Sequence, residues 1–142
     1  VPMSASLDLA IATLTNASTI AVVGLSRTPG KPAHDIPLYM AAQGWKVVGV
    51  NPGAVPAVEH VEVVESIENV SATIDILNVF RPTSDTDAII DQAIQRHADR
   101  GDVSCIWLQS GITSREGARK CAEAGITYID DTCIYVVRQY LR

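Results

Sequence analysis

Short apolar runs alternate with amphipathic stretches along the chain. Five of the runs are rich in β-branched residues and predict strands at residues 19–25, 46–50, 74–80, 103–108 and 126–129. This alternation is typical of a parallel sheet that is covered by helices on both faces. The sequence therefore predicts a three-layer, doubly wound α/β fold with a five-stranded parallel sheet.

Start and stop signals mark the helices between these strands. The predicted helices cover residues 7–14, 32–43, 83 or 84 to about 100, 113–124 and a segment from about 133. Ser4 or Ser6 caps the first, Pro32 opens the second, and Thr83 or Ser84 caps the third. Residues 54–72 have the weakest pattern, with one or two helical turns at 65–69. Because no repeat or linker interrupts the chain, residues 1–142 are expected to form one domain.

Composition narrows the possible partners. The 142 residues are 47% hydrophobic and carry a formal net charge of −5, which fits a folded domain and argues against a general nucleic-acid binder. No apolar run reaches the roughly 18 residues of a membrane helix. Without a signal-peptide pattern either, we expect a cytoplasmic protein that does not bind membranes.

The three cysteines have neither metal-site nor disulfide spacing. They lie at positions 105, 121 and 133, so we predict no metal site. Cys105 and Cys121 are interpreted as small core residues.

Glycine, proline and polar residues follow every predicted strand. In strand order they are Gly24, Ser26, Arg27 and Lys31; Asn51 and Pro52; Phe80, Arg81 and Pro82; Gln109, Ser110 and Gly111; and Asp130, Asp131, Thr132 and Cys133. The carboxyl ends of parallel strands share one edge, where ligands bind near the point at which strand order reverses. Turns favour the same residue types in any protein, so a purely structural role remains open at each position.

Positive charge at two of these strand ends points to an anionic ligand. Arg27, Lys31 and Arg81 stand there in a chain that is acidic overall. The helix opened by Pro32 would add unpaired backbone N–H groups and the positive end of its dipole. These features predict a diphosphate site. Asp35, in the first helical turn, would repel a phosphate, so we expect it to face away or to bond to backbone.

The pattern for binding a nicotinamide dinucleotide is incomplete. The glycine positions of GxGxxG hold Gly24, Ser26 and Pro29, and Val50 or Asn51 stands where an acid would bind the ribose. The P-loop pattern GxxxxGK[ST] is absent. An NAD(P)-binding domain of the oxidoreductase type is kept as an alternative.

Six segments at the strand ends together resemble a known family. AVVGLS, KPAHDIP, VNP, DILNVFRP, IWLQSGI and DTC occur in this order and are similar to the small bacterial and archaeal CoA-binding proteins. Their Rossmann-type domain is similar to the N-terminal domain of the succinyl-CoA synthetase α subunit. The resemblance covers about residues 5–142. It implies a stand-alone Rossmann-like module that binds a small nucleotide ligand, CoA or an acyl-CoA.

The resemblance also implies where each part of CoA would lie. The implied contacts are Gly24, Ser26, Arg27, Lys31 and Pro32 at the diphosphate; Asn51 and Pro52 at the adenosine; Phe80, Arg81 and Pro82 along the groove; and Gln109, Ser110 and Gly111 near the pantetheine. The chain departs from the family pattern after Asp131, where Thr132 replaces an arginine and Val137-Arg138 replaces a Glu-His pair.

The sequence favours a binding or regulatory module over an enzyme. His60 and His97 are expected at the surface, and the partner foreseen for His34 is Asp35. The phosphohistidine of the synthetases belongs to a later domain. An enzyme that acts on acyl-CoA with other residues is a further alternative. Cys133 is expected beside the groove, where a mixed disulfide with the CoA thiol is one hypothesis and a structural cysteine is the other.

Overall fold

The computed structural model describes residues 5–141. The helices are α1 (Ala5–Asn16), α2 (Pro32–Ala42), α3 (Thr83–Arg100), α4 (Arg115–Ala124) and α5 (Ile134–Arg138), with one 3-10 turn at Ile67–Asn69. The strands are β1 (Thr19–Val23), β2 (Lys46–Val50), β3 (Ala57–Val58), β4 (Val61–Val64), β5 (Ile76–Val79), β6 (Cys105–Leu108) and β7 (Thr127–Ile129). No helix in this range is long and apolar enough to cross a membrane.

All seven strands belong to one sheet. Their order is β3-β4-β2-β1-β5-β6-β7, and every neighbouring pair is parallel except β3 with β4. The chain builds outward from β1 to β2 and β4, and then returns to the other side of β1 with β5. Strand order therefore reverses between β1 and β5, which is where ligands bind in open α/β sheets.

Alternate residues of β1 pack on opposite faces of the sheet. Ile20 and Val22 belong to a core shared with α1, α2 and α5, whereas Ala21 and Val23 belong to a core shared with α3 and α4. Because side chains alternate along a strand, a strand covered on both faces must be apolar throughout, as β1 is. The predicted three-layer α/β architecture is confirmed.

The strand count differs from the prediction. Residues 54–72, where no strand was predicted, contain the hairpin of β3 and β4, and Glu59 in its turn has a φ of +52°. Val61 and Val63 are buried while Glu62 is exposed, so the two-residue periodicity of a strand is present over only four positions. That run is too short to stand out from the surrounding glycine and proline residues. The predicted turn at 65–69 is confirmed as the 3-10 turn.

Several predicted helix caps are corrected by the structure. Ser6 lies inside α1, and Ser4 lies outside the described residues. Pro82 occupies the N-cap of α3 without a side-chain hydrogen bond, so neither Thr83 nor Ser84 is the cap. The cap of α4 is Ser114, whose hydroxyl oxygen accepts a hydrogen bond from the Gly117 N–H. An oxygen in that position satisfies one of the free N–H groups of the first turn.

Candidate functional site

The larger of two cavities at the carboxyl edge lies on the α3 face of the sheet. This α3 cavity has a volume of about 560 Å³ and is bordered by the ends of β1, β2 and β4 and by the first turns of α3. Its walls combine apolar side chains such as Ile67 and Ile89 with polar ones such as Ser66, Ser84 and Gln92. Apolar walls with a few polar groups are typical of sites for small organic ligands.

A smaller cavity lies at the same edge on the opposite face. This α5 cavity has a volume of about 330 Å³ and is lined by Pro32, Ile36, Phe80, Gln109, Ser110, Ile112 and Cys133. Apart from Gln109, Ser110 and the thiol of Cys133, its lining side chains are apolar. It therefore suits a slender and mainly apolar group.

Consecutive residues at the end of β5 border the two cavities. Phe80 lines the α5 cavity and the next residue, Arg81, lines the α3 cavity. Consecutive Cα atoms are only about 3.8 Å apart, so the end of β5 borders both cavities. Gly24 is at this crossing, with a φ of +92°, and a Cβ there would lie 2.9 Å from the Arg81 Cδ. The positive φ favours glycine at this position, and its missing side chain leaves room for the Arg81 stem.

The Arg81 guanidinium forms an ion pair with Asp85 one turn into α3. Nη2 donates to the Asp85 carboxylate at 2.8 Å, and both side chains are about half exposed. An exposed pair of this kind contributes about 0–1 kcal/mol. The arginine is therefore held at the crossing but remains available to a more strongly charged anion.

The loop from 25 to 31 connects the two cavities and carries two unpaired cations. Arg27 and Lys31 are exposed, and within residues 5–141 neither side chain has a hydrogen bond or ion pair. Ser26 Oγ accepts a hydrogen bond from the Thr28 N–H at 3.1 Å, which leaves its own O–H free to donate. Gly24 before this loop lines the α3 cavity, and Pro32 after it lines the α5 cavity.

The start of α2 offers fewer N–H groups than the sequence suggested. Pro32 has none, and those of His34 and Asp35 already donate to the Lys31 carbonyl at 2.9 Å. The expectation about Asp35 is confirmed, because its carboxylate accepts a hydrogen bond from the Gly30 N–H at 3.1 Å. Positive charge at this loop therefore comes mainly from side chains rather than from the helix terminus.

His34 is buried between two carboxylates. Its Nδ1 lies 2.7 Å from Asp35 Oδ1 and its Nε2 lies 3.0 Å from Glu59 Oε2, a partner that the sequence did not reveal. The hydrogen bond from His34, together with that from Gly30, holds the pKa of Asp35 below its usual range. The contact with Glu59 fastens the turn between β3 and β4 to the first turn of α2, and the contact with Asp35 lies within that turn of the helix. His60 is exposed as predicted, but His97 is half-buried and bonds to the Asp102 carbonyl.

Asn51 also connects two loops at this edge. Its amide nitrogen donates to the Leu25 carbonyl at 2.8 Å, and its amide oxygen accepts a hydrogen bond from the Gly53 N–H at 2.9 Å. Asn51 lines the α3 cavity, but these bonds fix its side chain against the backbone. Its first role is to hold the ends of β1 and β2 together.

Gln109 is held in one orientation at the α5 cavity. Its Oε1 accepts hydrogen bonds from the Asn78 amide at 3.2 Å and from the Ile134 N–H at 2.9 Å. Because both partners are donors, the oxygen must face them, and the amide nitrogen must point away. Cys133 is the N-cap residue of α5, beside Gln109 at the same cavity.

The structure divides the sequence-predicted residues between the two cavities. Gly24, Asn51, Pro52 and Arg81 line the α3 cavity; Pro32, Phe80, Gln109 and Ser110 line the α5 cavity; and Ser26, Arg27 and Lys31 lie on the connecting loop. Pro82 and Gly111 line neither. Sequence reasoning missed two groups of residues that line the α3 cavity. Glu65 and Ser66 follow β4 and would have been found had that strand been recognised, whereas Ser84, Asp85, Ala88, Ile89 and Gln92 lie on the first turns of α3 and follow no strand directly.

Comparison with known proteins identifies the family of this chain. A sequence model described as the CoA binding domain matches residues 18–139. The uncharacterized protein YneT of Bacillus subtilis (strain 168) is 32% identical over 123 residues, which are 87% of each chain. A solved structure from Thermus thermophilus is 34% identical, with a TM-score of 0.86 over 98% of this chain and 100% of that one. A hypothetical protein from Pyrococcus horikoshii OT3 is 25% identical, with a TM-score of 0.84 over 95% of this chain and 91% of that one.

Proposed function

We propose that this chain, which belongs to the family of CoA-binding domains, binds coenzyme A or an acyl-CoA across the carboxyl edge of its sheet. The adenosine end lies in the α3 cavity, the diphosphate crosses the edge beside Gly24, and the pantetheine arm enters the α5 cavity. The observation that carries the proposal is the pair of unequal cavities that Phe80 and Arg81 border, one each, at the point where strand order reverses.

The cavities differ in size as the two ends of CoA do. The α3 cavity of about 560 Å³ has room for a base and a ribose, and its mixed walls suit their apolar faces and polar edges. The α5 cavity of about 330 Å³ suits an unbranched arm with a few amide groups. NAD would instead place a second nucleoside there, so the asymmetry supports CoA over NAD.

Three cations stand where the phosphates would cross. Arg81 lies at the end of β5, and Arg27 and Lys31 lie on the loop that joins the two cavities. Guanidinium groups bind phosphate oxygens with charge-assisted hydrogen bonds that are stronger than neutral ones. The Ser26 hydroxyl supplies a further donor on the same loop.

We propose a binding or regulatory role rather than a catalytic one. Within the described part of the chain, no hydroxyl or thiol that lines either cavity is hydrogen-bonded to a histidine or a carboxylate. Activated nucleophiles are held by such a base. The Ser66 hydroxyl, for example, donates to the Asn69 amide oxygen.

A thermal-shift panel tests the proposed ligand. The panel contains CoA, acetyl-CoA, NAD and NADP, each at several concentrations. A ligand at about 100 times its Kd stabilises the folded state by about 2.7 kcal/mol, which raises the Tm by on the order of 10 °C for a chain of this size. We expect this rise with CoA and acetyl-CoA and none with NAD or NADP at the same concentrations. A rise with NAD but not with CoA would overturn the proposal.

A further inference from the structure

The structure also suggests a chemical role for Cys133, which rests on the proposed binding of CoA. We infer that Cys133 exchanges with CoA disulfide, so that the protein captures one CoA as a mixed disulfide in the α5 cavity. Three features support this role: the position of the Cys133 thiol, an unused donor beside it and the burial of the other two cysteines.

Cys133 is held at the end of the α5 cavity by the residues on both sides of it. The Thr132 N–H donates to the Leu108 carbonyl at 3.3 Å, and the Ile134 N–H donates to Gln109 Oε1 at 2.9 Å. The Trp107 indole N–H also donates to the Thr132 carbonyl at 2.9 Å. These bonds tie the start of α5 to the end of β6. The half-buried thiol consequently has a fixed position in the lining of the cavity.

The side-chain amide of Gln109 provides an unpaired donor at the same cavity. Gln109 is only 6% exposed, yet within the described residues its Nε2 donates to no acceptor. The one fully enclosed side-chain nitrogen or oxygen without a partner in this range is Arg138 Nε, so Gln109 Nε2 retains access to the cavity. An amide whose N–H groups face a cavity can be hydrated there, and a ligand that displaces the water must supply an acceptor in its place. The amide carbonyls of a pantetheine arm are acceptors of the required kind.

The other cysteines cannot compete for the disulfide. Cys105 and Cys121 are about 1% and 0% exposed, and they belong to the apolar cores on the two faces of the sheet. Burial raises the pKa of Cys121 to about 11 and raises the pKa of Cys105 as well. Since the thiolate is the attacking species, neither thiol is available for exchange at neutral pH. Cys105 and Cys121 therefore serve as internal controls for the reaction of Cys133.

The exchange is balanced without any further oxidant. The Cys133 thiolate attacks one sulfur of CoA disulfide, a new Sγ–S bond forms, and the original S–S bond breaks. The second CoA leaves as its thiolate and takes up the proton that Cys133 lost. One disulfide replaces another, so CoA disulfide is the only oxidised reactant. The retained CoA keeps its nucleotide end in the α3 cavity.

Intact-mass analysis after incubation with CoA disulfide tests the inference. The wild-type protein is expected to gain the mass of one CoA less two hydrogen atoms, and dithiothreitol is expected to remove it. Peptide mapping should locate the adduct on Cys133, and Cys133→Ser should give none. Serine is a favoured N-cap residue, so this variant is expected to fold. An adduct on Cys105 or Cys121 would contradict the inference.

Rates distinguish recognition of CoA from simple exposure of a thiol. We expect CoA disulfide to modify Cys133 at least about tenfold faster than bis(2-hydroxyethyl) disulfide at equal concentration, because binding positions the reacting sulfur. Gln109→Glu keeps an acceptor for Ile134 but loses the amide N–H groups. The new carboxylate also disfavours the thiolate, so both reactions should slow, and the reaction with CoA disulfide should slow at least about fivefold more than the reaction with the small disulfide. Equal rates for the two disulfides in the wild-type protein would overturn the inference.

Reduced CoA separates this inference from the function on which it rests. If CoA stabilises both the wild-type protein and Cys133→Ser but CoA disulfide gives no adduct, the exchange is wrong and CoA binding stands. If CoA stabilises neither protein, the proposed function fails and the exchange fails with it.

Discussion

The side chain of Arg81 has one anionic partner in the structure and a second in the proposed complex. Asp85 now holds the guanidinium at 2.8 Å, and a diphosphate would draw it toward the end of β1. The short distance from Arg81 to Gly24 makes that movement small, because the arginine stem already packs against the glycine. The ion pair thus places the cation near the ligand path before the ligand arrives.

Replacement of Arg81 tests this role at the residue scale. Arg81→Ala should weaken CoA binding by about 1.5–3 kcal/mol, which is more than tenfold in Kd, because a charge-assisted hydrogen bond to phosphate is lost. Isothermal titration calorimetry measures the change. The Tm without ligand should change little, since the ion pair with Asp85 is exposed.

Arg119 provides a matched control for Arg81. It is also about half exposed and also forms an ion pair four residues along a helix, with Glu123, but it lines neither cavity. Arg119→Ala should bind CoA like the wild-type protein. Asp85→Asn should bind it about two- to fivefold more tightly, since the guanidinium then has no competing partner. Equal weakening in the two arginine variants would remove Arg81 from the site.

At the scale of elements, a buried ion pair joins Arg96 of α3 to Asp102 in the loop before β6, and hydrogen bonds from this pair reach the segment before β5. Arg96 donates to the Asp102 carboxylate at 2.8 Å and to the carbonyls of Ile67 and Val70 at 2.7 and 2.8 Å. Asp102 also accepts a hydrogen bond from the Ile74 N–H at 3.0 Å. The hydrogen bonds from Arg96 therefore hold in place the 3-10 turn that contributes Ile67 to the α3 cavity.

This ion pair predicts a loss of stability in acid. Burial by itself would raise the pKa of Asp102, but the hydrogen bonds from Arg96 and Ile74 outweigh it, and the folded-state pKa is lowered. A carboxyl with a lowered pKa stabilises the fold above its unfolded value, near pH 4, and loses that contribution as the pH falls through the folded value. Denaturant unfolding of the wild-type protein between pH 2 and 7 should show this loss below about pH 4.

Asp102→Asn should be less stable at neutral pH and should lose less stability in acid. We expect it to lower the free energy of unfolding by about 3–5 kcal/mol at pH 7, because Arg96 is left buried without its counter-charge. Its stability should then depend less on pH below about 4. Asp91→Asn, which removes an exposed partner of Lys120, is the control and should cost at most about 1 kcal/mol. Identical acid slopes for the wild-type protein and Asp102→Asn would refute this assignment.

Individual elements show what could be predicted from the sequence. Strands such as β1 were found because a strand covered on both faces must be apolar at every position. The hairpin of β3 and β4 was missed because its two strands have two and four residues. Contacts distant in the sequence, such as His34 with Glu59 and Gln109 with Ile134, could not be predicted, since they arise only once the strands are in register.

For the whole molecule, the sequence predicts that the strand ends share one edge of the sheet, but it does not predict two separate cavities at that edge. All five predicted strand ends were expected to line one continuous surface. The structure places them on one edge, where the ends of β1 and β5 separate an α3 cavity from an α5 cavity on the other face. Which residues lie on which face depends on strand order, and the sequence does not specify that order. This division makes the site asymmetric and matches it to a ligand with unlike ends.

The central claim is that CoA lies across the sheet edge with one end in each cavity. Two-dimensional amide NMR of the labelled protein, titrated with CoA and with each half of it, tests this claim most directly. Adenosine 3′,5′-bisphosphate should shift amides around the α3 cavity, such as Ser66 and Gln92, and pantetheine should shift those around the α5 cavity, such as Ile36 and Ser110. CoA should shift both sets at lower concentration than either half. Shifts confined to the opposite edge of the sheet, around Ser18 and Ser104, or to one cavity with intact CoA, would contradict the account.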